Sequence, residues 1–135
     1  PVSYVVTQPG QYGAPAAFAV ELMMSALLML LVLRLSNSIA YNRYTGVCAG
    51  CLVAFYITCA APFSGMSINP ARSFASAFSA NHWSFLWIYF TAPVIGMQMA
   101  IPINRLCWQN HARNCAKLVH SSKTRCIHCG YNTLR

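Results

Sequence analysis

Residues 62–78 read Pro-Phe-Ser-Gly-Met-Ser-Ile-Asn-Pro-Ala-Arg-Ser-Phe-Ala-Ser-Ala-Phe. Long uncharged apolar runs flank this stretch, yet it is too polar and too broken to cross a bilayer itself. Asn69-Pro70 reads as a helix start, because Asn is a strong N-cap and Pro fits the first helical position. A helix over 70–79 is about 15 Å long, half of the ~30 Å hydrocarbon core. Such a half-spanning helix survives in lipid only where its irregular approach is buried in protein or lines a water-filled cavity. Its N-terminus carries partial positive charge, and Arg72 adds a full charge in the first turn. That pairing is electrostatically unfavourable and points to a functional reason. The stretch therefore predicts a re-entrant segment inside a membrane protein.

The rest of the chain agrees. Of 135 residues, 57% are hydrophobic and only 7% charged. Soluble domains carry about 25% charged residues, which excludes an ordinary water-exposed globule. Disorder is excluded too, since it requires low hydrophobicity and high charge. Three uncharged or nearly uncharged spans follow, at Ala14–Leu33, Tyr44–Ala61 and Ser84–Ile103, the first carrying only Glu21. The expected fold is an all-α membrane protein of three transmembrane helices plus one re-entrant half-helix. Residues 1–13, with Pro and Gly punctuation, read as an extracytoplasmic loop. Residues 14–104 are the membrane domain, and residues 105–135 a basic tail.

Charge placement sets the orientation. Nine Lys and Arg face one acidic residue, Glu21. Six of the nine, Arg105, Arg113, Lys117, Lys123, Arg125 and Arg135, lie in the tail. Three spans put the Arg34–Arg43 connector on the tail's side, as the positive-inside rule requires. The C-terminus is therefore expected in the cytoplasm, and the basic charge is assigned to the membrane surface rather than to nucleic acid. On that side Cys107, Cys115, Cys126 and Cys129 are expected to stay reduced. Cys48, Cys51 and Cys59 act as small hydrophobes within a span. Gly46, Gly50 and Ala54 recur every four residues, a spacing that lets membrane helices approach closely.

Ser64-Gly-Met-Ser-Ile-Asn-Pro-Ala-Arg-Ser-Phe74 closely resembles the second Asn-Pro-Ala loop of the major intrinsic proteins, the aquaporins and aquaglyceroporins. The tripeptide alone is common, but the longer run between two hydrophobic spans is specific. Phe18-Ala-Val-Glu21 and Pro93-x-x-Gly96 extend the resemblance over residues 1–104. It implies the C-terminal half of a channel whose first half carries the opposing loop. Four such channels form a homotetramer in the family. The implied roles fall on particular residues. Asn69 offers its amide to the permeant at the midplane, and Pro70 and Ala71 meet the opposing loop. Arg72 lines the outer constriction and opposes cations. The carbonyls of Gly65, Met66, Ser67 and Ile68 form an acceptor ladder. Glu21, a costly lone carboxylate in a span, accepts hydrogen bonds from the loop backbone.

Selectivity is read from the residues that flank the constriction: Ile57, Met66 and Arg72. Water-specific members usually carry His where Ile57 stands. Ile57 and Met66 make a wider, more apolar aperture that suits glycerol and other small neutral solutes. Ser73, Ala77 and the Tyr89-Phe90 pair resemble water channels instead. The expected activity is passive passage of water and small uncharged solutes through a lipid-embedded channel without a cofactor. The short loops suggest a prokaryotic inner membrane. Enzymatic readings fail on composition, because a single carboxylate and no Asp leave neither an acid/base pair nor a triad. Cys126-x-x-Cys129 is half of a zinc pattern, and the cationic tail disfavours a metal ion. The tail therefore reads as a solvated or lipid-facing basic segment. The alternative is a non-conducting membrane fragment whose Cys/His tail binds a partner or metal.

Overall fold

The computed structural model describes residues 3–38 and 40–107. Among the described residues four α-helices form: α1 at Gly13–Ser36, α2 at Thr45–Ser64, α3 at Pro70–Ala80 and α4 at Leu86–Cys107. Short 3₁₀ turns at Ser3–Val5 and Asn42–Tyr44 precede α1 and α2. Among the described residues three helices are long and apolar enough to cross a membrane: α1, α4, and α2 together with the turn before it. At 11 residues α3 is the short one. Its length, about 16 Å, is that of a half-span.

α1 is the central element and packs against both α2 and α4. Ala17, Ile88, Tyr89 and Ala92 form a buried cluster with Ala14, Phe18 and Leu22 around it. A second cluster, Met24, Tyr56, Ala60, Met66 and Ile68, lies where α1, α2 and the loop before α3 converge. Outward-facing side chains stay apolar, among them Met23, Leu27, Phe55, Val94 and Ile101. That inversion of the soluble pattern is what a lipid-facing surface requires, and the chain is an integral membrane protein.

The element ends correct the expectations from sequence. α1 and α4 run past their expected ends at Leu33 and Ile103, to Ser36 and Cys107. Polar residues at a helix end are satisfied locally: Ser36 Oγ and Asn37 Nδ2 donate to Val32 O (2.6 Å) and Leu33 O (2.7 Å). α2 continues through Pro62, which was expected to open the loop. The missing N–H removes one rung, but the last turn is closed by Gly65 N donating to Ala61 O at 2.9 Å. The Gly46/Gly50 stripe makes no helix contact among the described residues, since a Cβ added at either meets open space. The close approach is at Gly96, where a Cβ would press on the Leu22 carbonyl, so α4 crosses α1 backbone to backbone. Cys48, Cys51, Cys59 and Cys107 are free thiols. Cys126, Cys129 and the other tail Cys and His residues lie outside the described residues.

Candidate functional site

The site is the loop Gly65–Asn69 and the first turn of α3. Gly65 ends α2 in the left-handed region at φ 71°. Met66 and Ile68 share that sign of φ, at 44° and 55°. Side-chain-bearing residues pay about 1 kcal/mol or more each for this conformation. The alternation turns successive amides to one side, and Glu21 waits there.

Glu21 is fully buried on α1. Its Oε1 accepts from Ser67 N (2.8 Å) and Ser64 Oγ (2.9 Å). Its Oε2 accepts from Ile68 N at 2.8 Å. Both oxygens thus hold the two strained turns of the loop. Ser64 Oγ in turn accepts from Met66 N at 3.1 Å, and Ser64 O accepts from the buried Tyr89 hydroxyl at 2.7 Å. Ser67 and Ser73 hydroxyls join at 2.5 Å, tying the loop to α3. Ser67 Oγ also bonds the Asn69 carbonyl (2.9 Å).

Asn69 caps α3 as the sequence implied. Its Oδ1 accepts from Ala71 N (2.9 Å) and Arg72 N (3.3 Å). That fixes the amide's orientation and leaves Nδ2 without a partner among the described residues, on an exposed residue. Pro70 holds the first helical position, and Ala71 is exposed beside it. Arg72 is exposed, and its Nη1 donates to the Met66 carbonyl at 2.5 Å and lies 3.8 Å from Met66 Sδ. The guanidinium is therefore aimed by the loop it follows. It sits at a positive helix end with no carboxylate against it among the described residues, which concentrates positive potential there.

The structure brings Glu21, Gly65, Met66, Ser67, Ile68, Asn69 and Arg72 into one unit. Ile57 stands apart: it is 54% exposed on α2, outside both buried clusters. Met66 is 4% exposed, with its side chain turned into the core and its carbonyl toward Arg72. Ser64, Tyr89 and Ser73 are members that sequence reasoning assigned no part in holding the loop. Polar tips at 64 and 89 beside a lone buried carboxylate were the available signal. Among the described residues no group of His, Cys, Asp or Glu is placed to hold a metal ion.

Residues 3–103 match the sequence model of the Major intrinsic protein family. Aquaporin NIP6-1 of Arabidopsis thaliana is 34% identical over 62% of this chain and 28% of its own length. Nodulin-26 of Glycine max is 32% identical over 59% of the chain and 30% of its length. Aquaporin Z of Bradyrhizobium diazoefficiens is 27% identical over 69% of the chain and 40% of its length. The chain thus spans well under half the length of the curated relatives it matches.

Proposed function

The chain belongs to the major intrinsic protein family, and on that premise we propose that it forms half of a passive membrane channel for water and small uncharged solutes such as glycerol. The observation that carries this reading is the held loop. A half-spanning helix is presented with Asn69 Nδ2 unpaired among the described residues and Arg72 aimed at its N-terminal end. Such an N-terminus offers hydrogen-bond donors to a neutral permeant and repels cations.

The roles follow from the chemistry of each group. Asn69 donates to the permeant, which must shed most of its water at this level. Pro70 and Ala71 form the tip that meets an opposed half-helix in the other half of the channel. Arg72 donates to the permeant at the outer constriction. Ile57 supplies the apolar wall against which a polyol's carbons lie. Met66 backs Arg72 through its carbonyl and sulfur. Carbonyls of Gly65, Ser67 and Ile68 accept from the permeant as it passes. Glu21 acts as the anchor that keeps those carbonyls turned outward, because it occupies the amides on the other side. Residues 1–13 lie outside the membrane on the side opposite the C-terminus, and the basic segment after Cys107 lies in the cytoplasm. Assembly as a homotetramer belongs to the same reading. The relatives come mostly from flowering plants, which gives the expected prokaryotic inner membrane no support.

A chimera tests the reading. Residues 3–103 replace the matched segment of the Bradyrhizobium aquaporin Z, and proteoliposomes are assayed by stopped-flow light scattering. Water permeability well above empty liposomes is expected, with glycerol passage measurable. Permeability at the lipid background in a monodisperse, membrane-inserted chimera refutes the channel and leaves the non-conducting reading.

A further inference from the structure

Glu21 holds residues 67 and 68, but it does not reach Gly65, and a different part of the chain lies against that glycine. Gly10 N donates to Phe63 O at 2.9 Å. A Cβ built on Gly10 would overlap the Pro62 carbonyl oxygen. Conversely, a Cβ on Gly65 would stand 3.0 Å from Gln8 O and 3.2 Å from both Gln8 N and Thr7 Cγ2. Each glycine makes room for the other segment's main chain. Thr7 is buried beneath this crossing. Beyond it, the Tyr12 ring stacks on Phe63 with centroids 4.9 Å apart and planes 13° from parallel. Gly13 N closes a turn onto Gly10 O at 3.0 Å, just where α1 starts. At its other end the segment's 3₁₀ turn, Ser3–Val5, lies against α3.

We propose that residues 7–12 are a positioning strap for the selectivity loop, with Gly10 and Gly65 as an interlocked pair. The proposal rests on the channel reading above and adds a regulator of the same site. The strap bears on Gly65, and the next carbonyl in the chain, Met66 O, is the acceptor that aims Arg72. Displacing the strap therefore moves that carbonyl and frees the guanidinium, while Asn69 and the Glu21 anchor stay in place. Interfaces packed this closely shift in discrete steps rather than deform smoothly, so a small displacement has a large effect on the aperture. The strap is the segment through which events on the extracytoplasmic side reach the filter.

Gly10→Ala is the probe, since the Gly10 backbone lies outside the left-handed region and the added methyl acts by overlap with the Pro62 carbonyl and close approach to the Phe63 carbonyl oxygen. Tyr12→Ala is a second, milder release, and Tyr12→Phe keeps the stacked ring. In the full chain in lipid nanodiscs, Gly10→Ala and Tyr12→Ala are expected to speed amide exchange at residues 65–66 several-fold. Amides at the α1–α4 crossing near Gly96 stay unchanged. In the aquaporin Z chimera, the same two variants raise the glycerol-to-water permeability ratio several-fold, and Tyr12→Phe restores it. Unchanged exchange in both release variants overturns the strap, as does an unchanged or lower ratio in a conducting chimera. If the parent chimera does not conduct, the channel reading fails, and the exchange measurement still decides whether the strap positions the loop.

Discussion

Removing the Glu21 carboxylate should release the loop before α3, and the size of the effect can be worked from its partners. Glu21→Leu leaves the buried amides of Ser67 and Ile68 without acceptors, together with the Ser64 hydroxyl. A buried donor left unpaired costs about 1–3 kcal/mol, and more where the lost acceptor was charged. The hydroxyl can rotate toward another acceptor, so the two amides dominate and the loss is about 3–6 kcal/mol. Met66 and Ile68 then relax from positive φ, which recovers about 1 kcal/mol apiece in the opened loop and favours opening further. Glu21→Gln keeps one carbonyl oxygen for Ser67 N and Ser64 Oγ but turns an NH2 toward Ile68 N. One amide bond is lost instead of two, about 1.5–3 kcal/mol. Hydrogen exchange on the full chain in nanodiscs resolves the two. Since every 1.4 kcal/mol is a factor of ten, the Leu variant should lose about two to four decades of protection at residues 67 and 68, and Gln one to two. The expected order is Glu, then Gln, then Leu. Equal protection in the two variants, or wild-type protection in Glu21→Leu, would refute the idea that this carboxylate holds the loop.

Arg72→Val in the conducting chimera should weaken exclusion of protons and cations. Repulsion of a cation by one unit charge at ~4 Å and an effective dielectric of ~20 is ~4 kcal/mol. Proton flux followed with a pH-sensitive dye checks this, and an unchanged leak argues against a pore-lining guanidinium. Ile57→His should lower glycerol passage relative to water, because a ring narrows the aperture and replaces an apolar wall with a hydrogen-bonding group. Paired sucrose and glycerol gradients measure the ratio, which must fall if Ile57 faces the permeant. Tyr56→Phe should leave the chain as stable or raise its stability by about 1 kcal/mol, since the Tyr56 hydroxyl is buried among apolar side chains without a partner among the described residues. A clear drop in thermal unfolding temperature would show that this hydroxyl is bonded in the membrane.

Much of this architecture was legible in the linear chain, because lipid imposes rules that composition alone satisfies or breaks. Long uncharged runs must be helices there. Asn69-Pro70 announced α3, since capping and the first-turn preference for proline act over two adjacent residues. Glu21 also declared itself, as the only acid of the chain and a charge that a span cannot carry without partners. Which donors it takes was not legible. Ser64, Ser67 and Ile68 lie 43 to 47 residues away. The amides of Ser67 and Ile68 turn toward α1 only because Gly65, Met66 and Ile68 adopt positive φ, and nothing local specifies that for Met or Ile. Helix ends at Ser36 and Ser64 escaped as well, because terminal turns are closed by individual hydrogen bonds rather than by hydropathy. The Gly46/Gly50 spacing suggested a contact that the described helices place at Gly96 instead. The sequence by itself thus determined the spans, the half-helix and the need for an acceptor at 21. Only the tertiary structure decided which donors of the loop Glu21 takes, what aims Arg72, and that residues 7–12 cross over Gly65. Those depend on two backbones meeting at van der Waals distance, a relation between segments far apart in the chain.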